Sequence, residues 1–163
     1  MRLNREALNR ESRIVNRQST FEDLEVYQVA REFRKAMYRL ARELPEIEKF
    51  GLVSQVRRAA LSLTNNIAEG HGRYHYLDQI KFTLQSRGSL EELIDDLNAC
   101  QDEQYVPTEK IASLKAEGWR VRQLIDGYIR YLRQQKNTSS AVQEMPPSYD
   151  DSAELEDDSR FSM

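Results

Sequence analysis

FGLVSQVRRAALSLTNNIAEGHGR, residues 50–73, carries two stripes of opposite character on one segment. Leu52, Val56, Ala59, Ala60, Leu63 and Ile67 recur at three- and four-residue steps, the spacing of a buried helix face. Gln55, Arg58, Ser62, Asn66 and Glu69 follow the same steps along an adjacent face that is wholly polar. Gly70 and Gly72 then stop the segment, so a helix over about 52–69 is predicted, with small residues in its stripe that admit a close neighbour.

Working outward, the same periodicity recurs three times. Leu24, Tyr27, Ala30, Phe33, Met37, Leu40 and Ala41 define a helix over 21–43, with Thr20 and Asp23 as a capping box and Pro45 as its stop. A third helix over 77–103 presents Leu77, Ile80, Leu84, Leu90, Leu93, Ile94 and Leu97. Gly88 lies inside it, where glycine costs about 1 kcal/mol relative to alanine, so close approach of a neighbouring helix is expected there. Pro107 and Thr108 open a fourth helix to Lys136 with Ile111, Leu114, Gly118, Val121, Ile125, Tyr128 and Leu132 on its stripe. No segment alternates like a strand, and short connections favour antiparallel neighbours. The expected fold is all-α, an antiparallel up-down-up-down four-helix bundle over 20–136 with flexible termini.

Charge divides the chain into the same parts. Residues 1–19 hold five arginines against Glu6 and Glu11, and read as a flexible or partner-dependent arm. The bundle is neutral overall. Residues 137–163 hold seven acids against Arg160, with serines and prolines and almost no apolar periodicity, the composition of a disordered acidic tail. A tail of that sign can mask a basic surface elsewhere, so the net charge of −3 decides nothing about nucleic acid. No apolar run is long enough to cross a bilayer and no secretory signal is recognisable, which makes the cytoplasm the expected location. A lone cysteine, Cys100, excludes an internal disulfide and reads as a small core residue.

Three groups of residues invite a chemical reading. The polar series on the second helix faces a similar one on the third, Gln85, Ser89, Glu92 and Asp96. Antiparallel packing brings Arg58 towards Glu92 or Asp96 and lets Asn66 and Ser89 exchange hydrogen bonds. A structural network or subunit interface is the favoured reading, with a solvated face as its alternative. His71 and His75 are four apart, but Gly70 and Gly72 break the helix that would align them, and no metal is expected. On the fourth helix Lys115, Trp119, Arg122, Arg130 and Arg133 fall on one off-core row interrupted by Asp126. An aromatic among guanidinium groups suits either a subunit contact or a nucleic-acid surface. No catalytic triad, phosphate-cradling loop or paired carboxylate is present at recognisable spacing, so neither an enzyme nor a cofactor is expected.

FEDLEVYQVAREF at 21–33, the stretch at 50–73 and RGSLEELIDDL at 87–97 together resemble the bacterial four-helix-bundle proteins encoded by intervening sequences in 23S ribosomal RNA genes. The resemblance covers about 20–135. Thr64 stands where members often carry proline, and His71 where an aromatic is usual. What the resemblance implies is a homo-oligomer, a pentameric ring, with no established catalytic activity. A related branch serves diversity-generating retroelements as accessory subunits that bind nucleic acid and a reverse transcriptase. The shared blocks are structural, so the candidate surface on the fourth helix rests on helical spacing alone. A scaffold that captures protein partners through its tails is the competing reading.

Overall fold

Four helices carry the four apolar stripes: α1 (Glu25–Glu43), α2 (Leu52–His71), α3 (Tyr76–Asp102) and α4 (Thr108–Gln143). The structure, a computed structural model, describes residues 20–143; the N-terminal arm at 1–19 and the acidic tail from 144 onward lie outside the described residues. Short 3-10 turns at Phe21–Asp23 and Glu46–Glu48 precede α1 and α2. Among the described residues the fold is all-α, as the periodicity predicts.

Cross-helix contacts fix the direction of each helix, because the residue number falls on one partner as it rises on the other. Thr64 meets Arg34 while Arg57 meets Tyr38, so α1 and α2 are antiparallel. Ser62 with Ser89 and Arg58 with Glu92 set α2 against α3 in the same sense. Arg87 with Asp126 and Lys115 with Asn98 do so for α3 and α4, and Lys110 with Glu43 closes α4 back on α1. The result is the expected up-down-up-down bundle. Its centre is filled by Phe33, Met37, Leu40, Leu63, Ile67, Leu90, Leu93, Leu97, Ile111, Ile125 and Leu132, all essentially inaccessible. Each such side chain contributes about 1.5–3 kcal/mol by leaving water, which makes this packing the main source of helix stability.

Several boundaries and positions differ from the sequence expectation. The Thr20–Asp23 capping box forms, but it closes the 3-10 turn, and α1 begins only at Glu25 after an extended Leu24. At the other end, α4 continues past Lys136 to Gln143, since nothing in that stretch breaks a helix until the prolines further on. Leu77, placed on the apolar stripe of α3, is 59% exposed, while Thr83 and Ser86 occupy buried positions instead. Both hydroxyls are satisfied without water: Thr83 Oγ1 donates to Gln79 O at 2.7 Å and Ser86 Oγ donates to Leu63 O at 2.6 Å.

Gly88 is the clearest correction. A Cβ built there meets nothing within 4 Å, so no other helix among the described residues approaches it. Close approach occurs at Gly118 instead, where a Cβ would lie 2.7 Å from Ile94 Cδ1 and 3.2 Å from Phe33 Cζ. Gly70 has the same role at the end of α2, 3.0 Å from Phe82 Cβ.

Connections at the upper end of the bundle are tied together by one carboxylate. Glu48 Oε2 accepts from the Leu52 N–H at 3.1 Å, serving as the N-terminal cap that Gly51 has no side chain to provide. Its other oxygen accepts from Tyr105 Oη at 2.9 Å, which joins the α3–α4 connection to the α1–α2 one.

Candidate functional site

The polar seam between α2 and α3 is built largely as the spacing implies, with one rearrangement. Asn66 does not reach Ser89. Asn66 Nδ2 donates to Ser62 Oγ at 3.0 Å, and Ser62 and Ser89 hydroxyls lie 2.8 Å apart. Because Ser89 Oγ also donates to Gln85 O at 3.2 Å, its single proton is used there, so Ser62 is the donor to Ser89. The chain therefore runs in one direction, Asn66 to Ser62 to Ser89 to the Gln85 carbonyl. Above it Arg58 Nη2 pairs with Glu92 Oε1 at 2.9 Å, and below it Arg73 pairs with Glu69 on α2 itself. Gln55 is exposed at the end of the series.

One member of that seam is left out. Asp96 is only 6% exposed and its Oδ2 has no partner. Burial, with the nearby negative charges of Glu92 and Asp95, raises its carboxyl to about 6 against an ordinary value of 3.8, and Arg58 offsets this in part. One turn further, burial and the charges of Asp96 and Glu48 push the Cys100 thiol up to about 11. That thiol stays protonated at neutral pH, which suits a packed core residue.

On α4 one cation of the expected basic row, Arg122, is neutralised within the molecule. Arg122 pairs with Glu91 and, at 3.0 Å, with Asp126, which also receives Arg87 at 3.2 Å. Lys115 Nζ donates to Asn98 Oδ1 at 2.6 Å. Trp119 is about half exposed beside them, and Arg130 and Arg133 are exposed further along the helix. Wheel spacing does not show that Glu91, on the neighbouring helix, takes Arg122 while Lys115 meets neutral amides.

A second basic flank was not singled out from sequence. Tyr27, Arg31, Arg34, Tyr38 and Arg42 recur on α1 at steps of four, three, four and four, beside the core stripe and without an acid among them. Contacts place this flank along α2: Arg34 Nη1 donates to Thr64 Oγ1 at 2.8 Å, and the Arg57 guanidinium lies 4.5 Å from the Tyr38 ring centroid. None of Arg31, Arg34, Arg42 and Arg57 meets a carboxylate among the described residues. The nearest acid on α1, Glu32, is taken by Lys35 at 2.7 Å. The adjacent arginines of α2 thus diverge, Arg57 towards α1 and Arg58 towards α3. The absence of acids from one helical row was the signal that could have found this flank.

His71 and His75 do not converge with other ligands; among the described residues no group of three His, Cys, Asp or Glu side chains could hold a metal ion. None of the described helices is long and apolar enough to cross a membrane.

These features define the class, a small antiparallel four-helix protein with a hydrogen-bonded seam on one side and an arginine flank on another. The family model described as 23S rRNA-intervening sequence protein matches residues 22–127, from the turn before α1 well into α4, and the chain belongs to that family. No curated protein matches it significantly.

Proposed function

We propose that this chain is a non-enzymatic, homo-oligomeric bundle that binds RNA or DNA as a cytoplasmic accessory to a nucleic-acid-processing protein, a reverse transcriptase being one candidate partner. The observation that carries the reading is the arginine flank of α1 and α2. Four guanidinium groups without carboxylate partners among the described residues, one of them held over the Tyr38 ring, form a surface that attracts phosphate. Membership of a family named for sequences within ribosomal RNA genes is compatible with it.

Support for self-association comes from α3. Gly88 faces open space in mid-helix, and Leu77 is exposed three turns before it, an arrangement that a second subunit packed on this face would explain. The pentamer implied by the resemblance is the assembly we propose. A protein scaffold is the second reading, favoured by Ile47 and Phe50, both large and almost fully exposed on the α1–α2 connection.

Gel-shift titration at two salt concentrations tests the first reading. Changing Arg31, Arg34 and Arg57 together to Gln should weaken binding and reduce the slope of log K against log salt by about two. Changing Arg130 and Arg133 should have the smaller effect. Tight binding that ignores the α1 and α2 changes would refute this surface, and absence of binding at low salt would favour the scaffold.

A further inference from the structure

At the lower end of the bundle the chain holds an aromatic pair in solvent for no reason internal to the fold. Tyr74, in the connection between α2 and α3, is 92% exposed, and its ring meets the His75 ring edge-on at 5.1 Å. The connection is not loose. Gln79 Nε2 donates to Arg73 O at 2.9 Å, the Arg73 N–H donates to Gly70 O at 3.0 Å, and Gly70 lets α3 close on α2 beside Phe82. Tyr74 is therefore presented on a fixed turn. Opposite stands the continuation of α4 beyond the start of α3, which brings Lys136, Ser139 and Ser140 to the other wall.

Between these walls lies a cleft of about 610 Å³, floored by Tyr76 and Leu77. Its chemistry is one-sided. Three rings and a leucine supply flat apolar surface, Lys136 supplies an ammonium, Gln79 an amide and two serines hydroxyls, and among the described residues no carboxylate lines it. Ser140 Oγ is directed to Lys136 O at 3.1 Å, which leaves its lone pairs as acceptors beside the lysine. Lys136 meets no carboxylate among the described residues.

The geometry points to a nucleotide site, in which Tyr74 stacks on a nucleobase and Lys136 holds the attached phosphate. A planar aromatic anion fits each wall, since stacking needs the exposed ring and the charge needs the lysine. A nucleotide also fits the volume, as ligand clefts of this kind run from about 300 to 1,000 Å³. The cleft shares no residue with the arginine flank of α1 and α2, and stands whether or not that flank binds nucleic acid. Two sources supply the ligand chemistry, a free mononucleotide or the phosphorylated end of a strand.

Amide NMR on the full chain tests the site with adenosine monophosphate, adenosine and inorganic phosphate as separate probes. The monophosphate should move the amides of 74–79 and 136–140, with adenosine and phosphate each binding more weakly. Tyr74→Ala and Lys136→Gln, both surface changes, should each weaken the monophosphate by about tenfold. Oligonucleotides with and without a terminal phosphate separate the sources. A phosphate-dependent gain over the mononucleotide identifies a strand end, and equal binding identifies the free nucleotide. Unmoved amides at millimolar monophosphate would overturn the site. So would a fall in oligomeric mass for Tyr74→Ala, which would make the cleft a subunit contact.

Discussion

Arg34 Nη1 donates a hydrogen bond to Thr64 Oγ1 at 2.8 Å across the α1–α2 seam, and Thr64 Oγ1 in turn donates to Leu61 O at 3.2 Å. Thr64 is buried, so it anchors one terminal nitrogen of a guanidinium that is itself only half-buried. The bond orders an arginine without neutralising it, which is what a phosphate-binding surface requires. Replacing Thr64 with Val keeps the shape and removes the acceptor. Chemical denaturation should show a loss of about 1 kcal/mol, and a double-mutant cycle with Arg34→Met should give a coupling of about 0.5–1.5 kcal/mol. Zero coupling would mean that the bond is not held in solution.

The two mid-helix glycines should respond in opposite directions. Gly118→Ala places a methyl 2.7 Å from Ile94 Cδ1 in a filled core, and should destabilise the protein by about 1–3 kcal/mol. Gly88→Ala meets open space, and in an isolated bundle should stabilise by about 0.5–1 kcal/mol through helix propensity. Thermal melts with sedimentation on the same samples separate the outcomes. A Gly88→Ala protein that loses oligomeric mass identifies the glycine as a contact between subunits.

Contrast between these glycines indicates where sequence reading runs out. Periodicity located all four helices and most of their core, because burial of a stripe is a property of one helix at a time. The same logic located the seam residues Ser62, Ser89, Arg58 and Glu92. What it could not assign was partnership. Gly118 lies on the apolar stripe of α4 and Gly88 off that of α3, so the sequence already separates them, but only the crossing of α1, α3 and α4 shows how crowded Gly118 is. Arg122 has Asp126 one turn on in its own helix, but its pairing with Glu91 on α3, like the approach of Arg57 to Tyr38, depends on packing. Buried Thr83 and Ser86 escaped notice because their hydroxyls are satisfied by carbonyls, one of them on another helix. The end of α3 falls within a residue of its expected place, although no glycine marks it. Gln104, at φ 57°, takes the left-handed position that glycine usually holds, and the Tyr105 N–H closes the turn on Cys100 O at 3.0 Å.

Directionality in the seam predicts unequal costs for its two serines. Ser62 both accepts from Asn66 and donates to Ser89, whereas Ser89 loses only one interhelical bond when removed. Ser62→Ala should therefore cost about 1–2 kcal/mol and Ser89→Ala about 1 kcal/mol, measured as shifts in the urea midpoint at constant m-value. The reverse order would show that the proton arrangement is different.

Asp96 gives the molecule its clearest pH signature. Its folded pKa is raised to about 6 from 3.8, so between those values the folded state binds more protons than the unfolded chain. Stability from this group is fully present below about pH 4 and is lost as pH rises to about 6, after which it is constant. The charges that face it act in both directions, Glu92 and Asp95 on α3 raising the pKa and Arg58 on α2 lowering it. Asp96→Asn keeps the size and removes the charge. The variant should be more stable than the parent by about 1–3 kcal/mol at pH 7.5, with the advantage shrinking steadily towards pH 4.5. Urea denaturation across that range measures the difference, and subtraction of the two profiles cancels the other carboxylates. A difference independent of pH would show that Asp96 titrates normally. A further Glu92→Gln change removes one of the charges that raise the Asp96 pKa, so it should narrow the pH range over which the Asp96→Asn advantage develops.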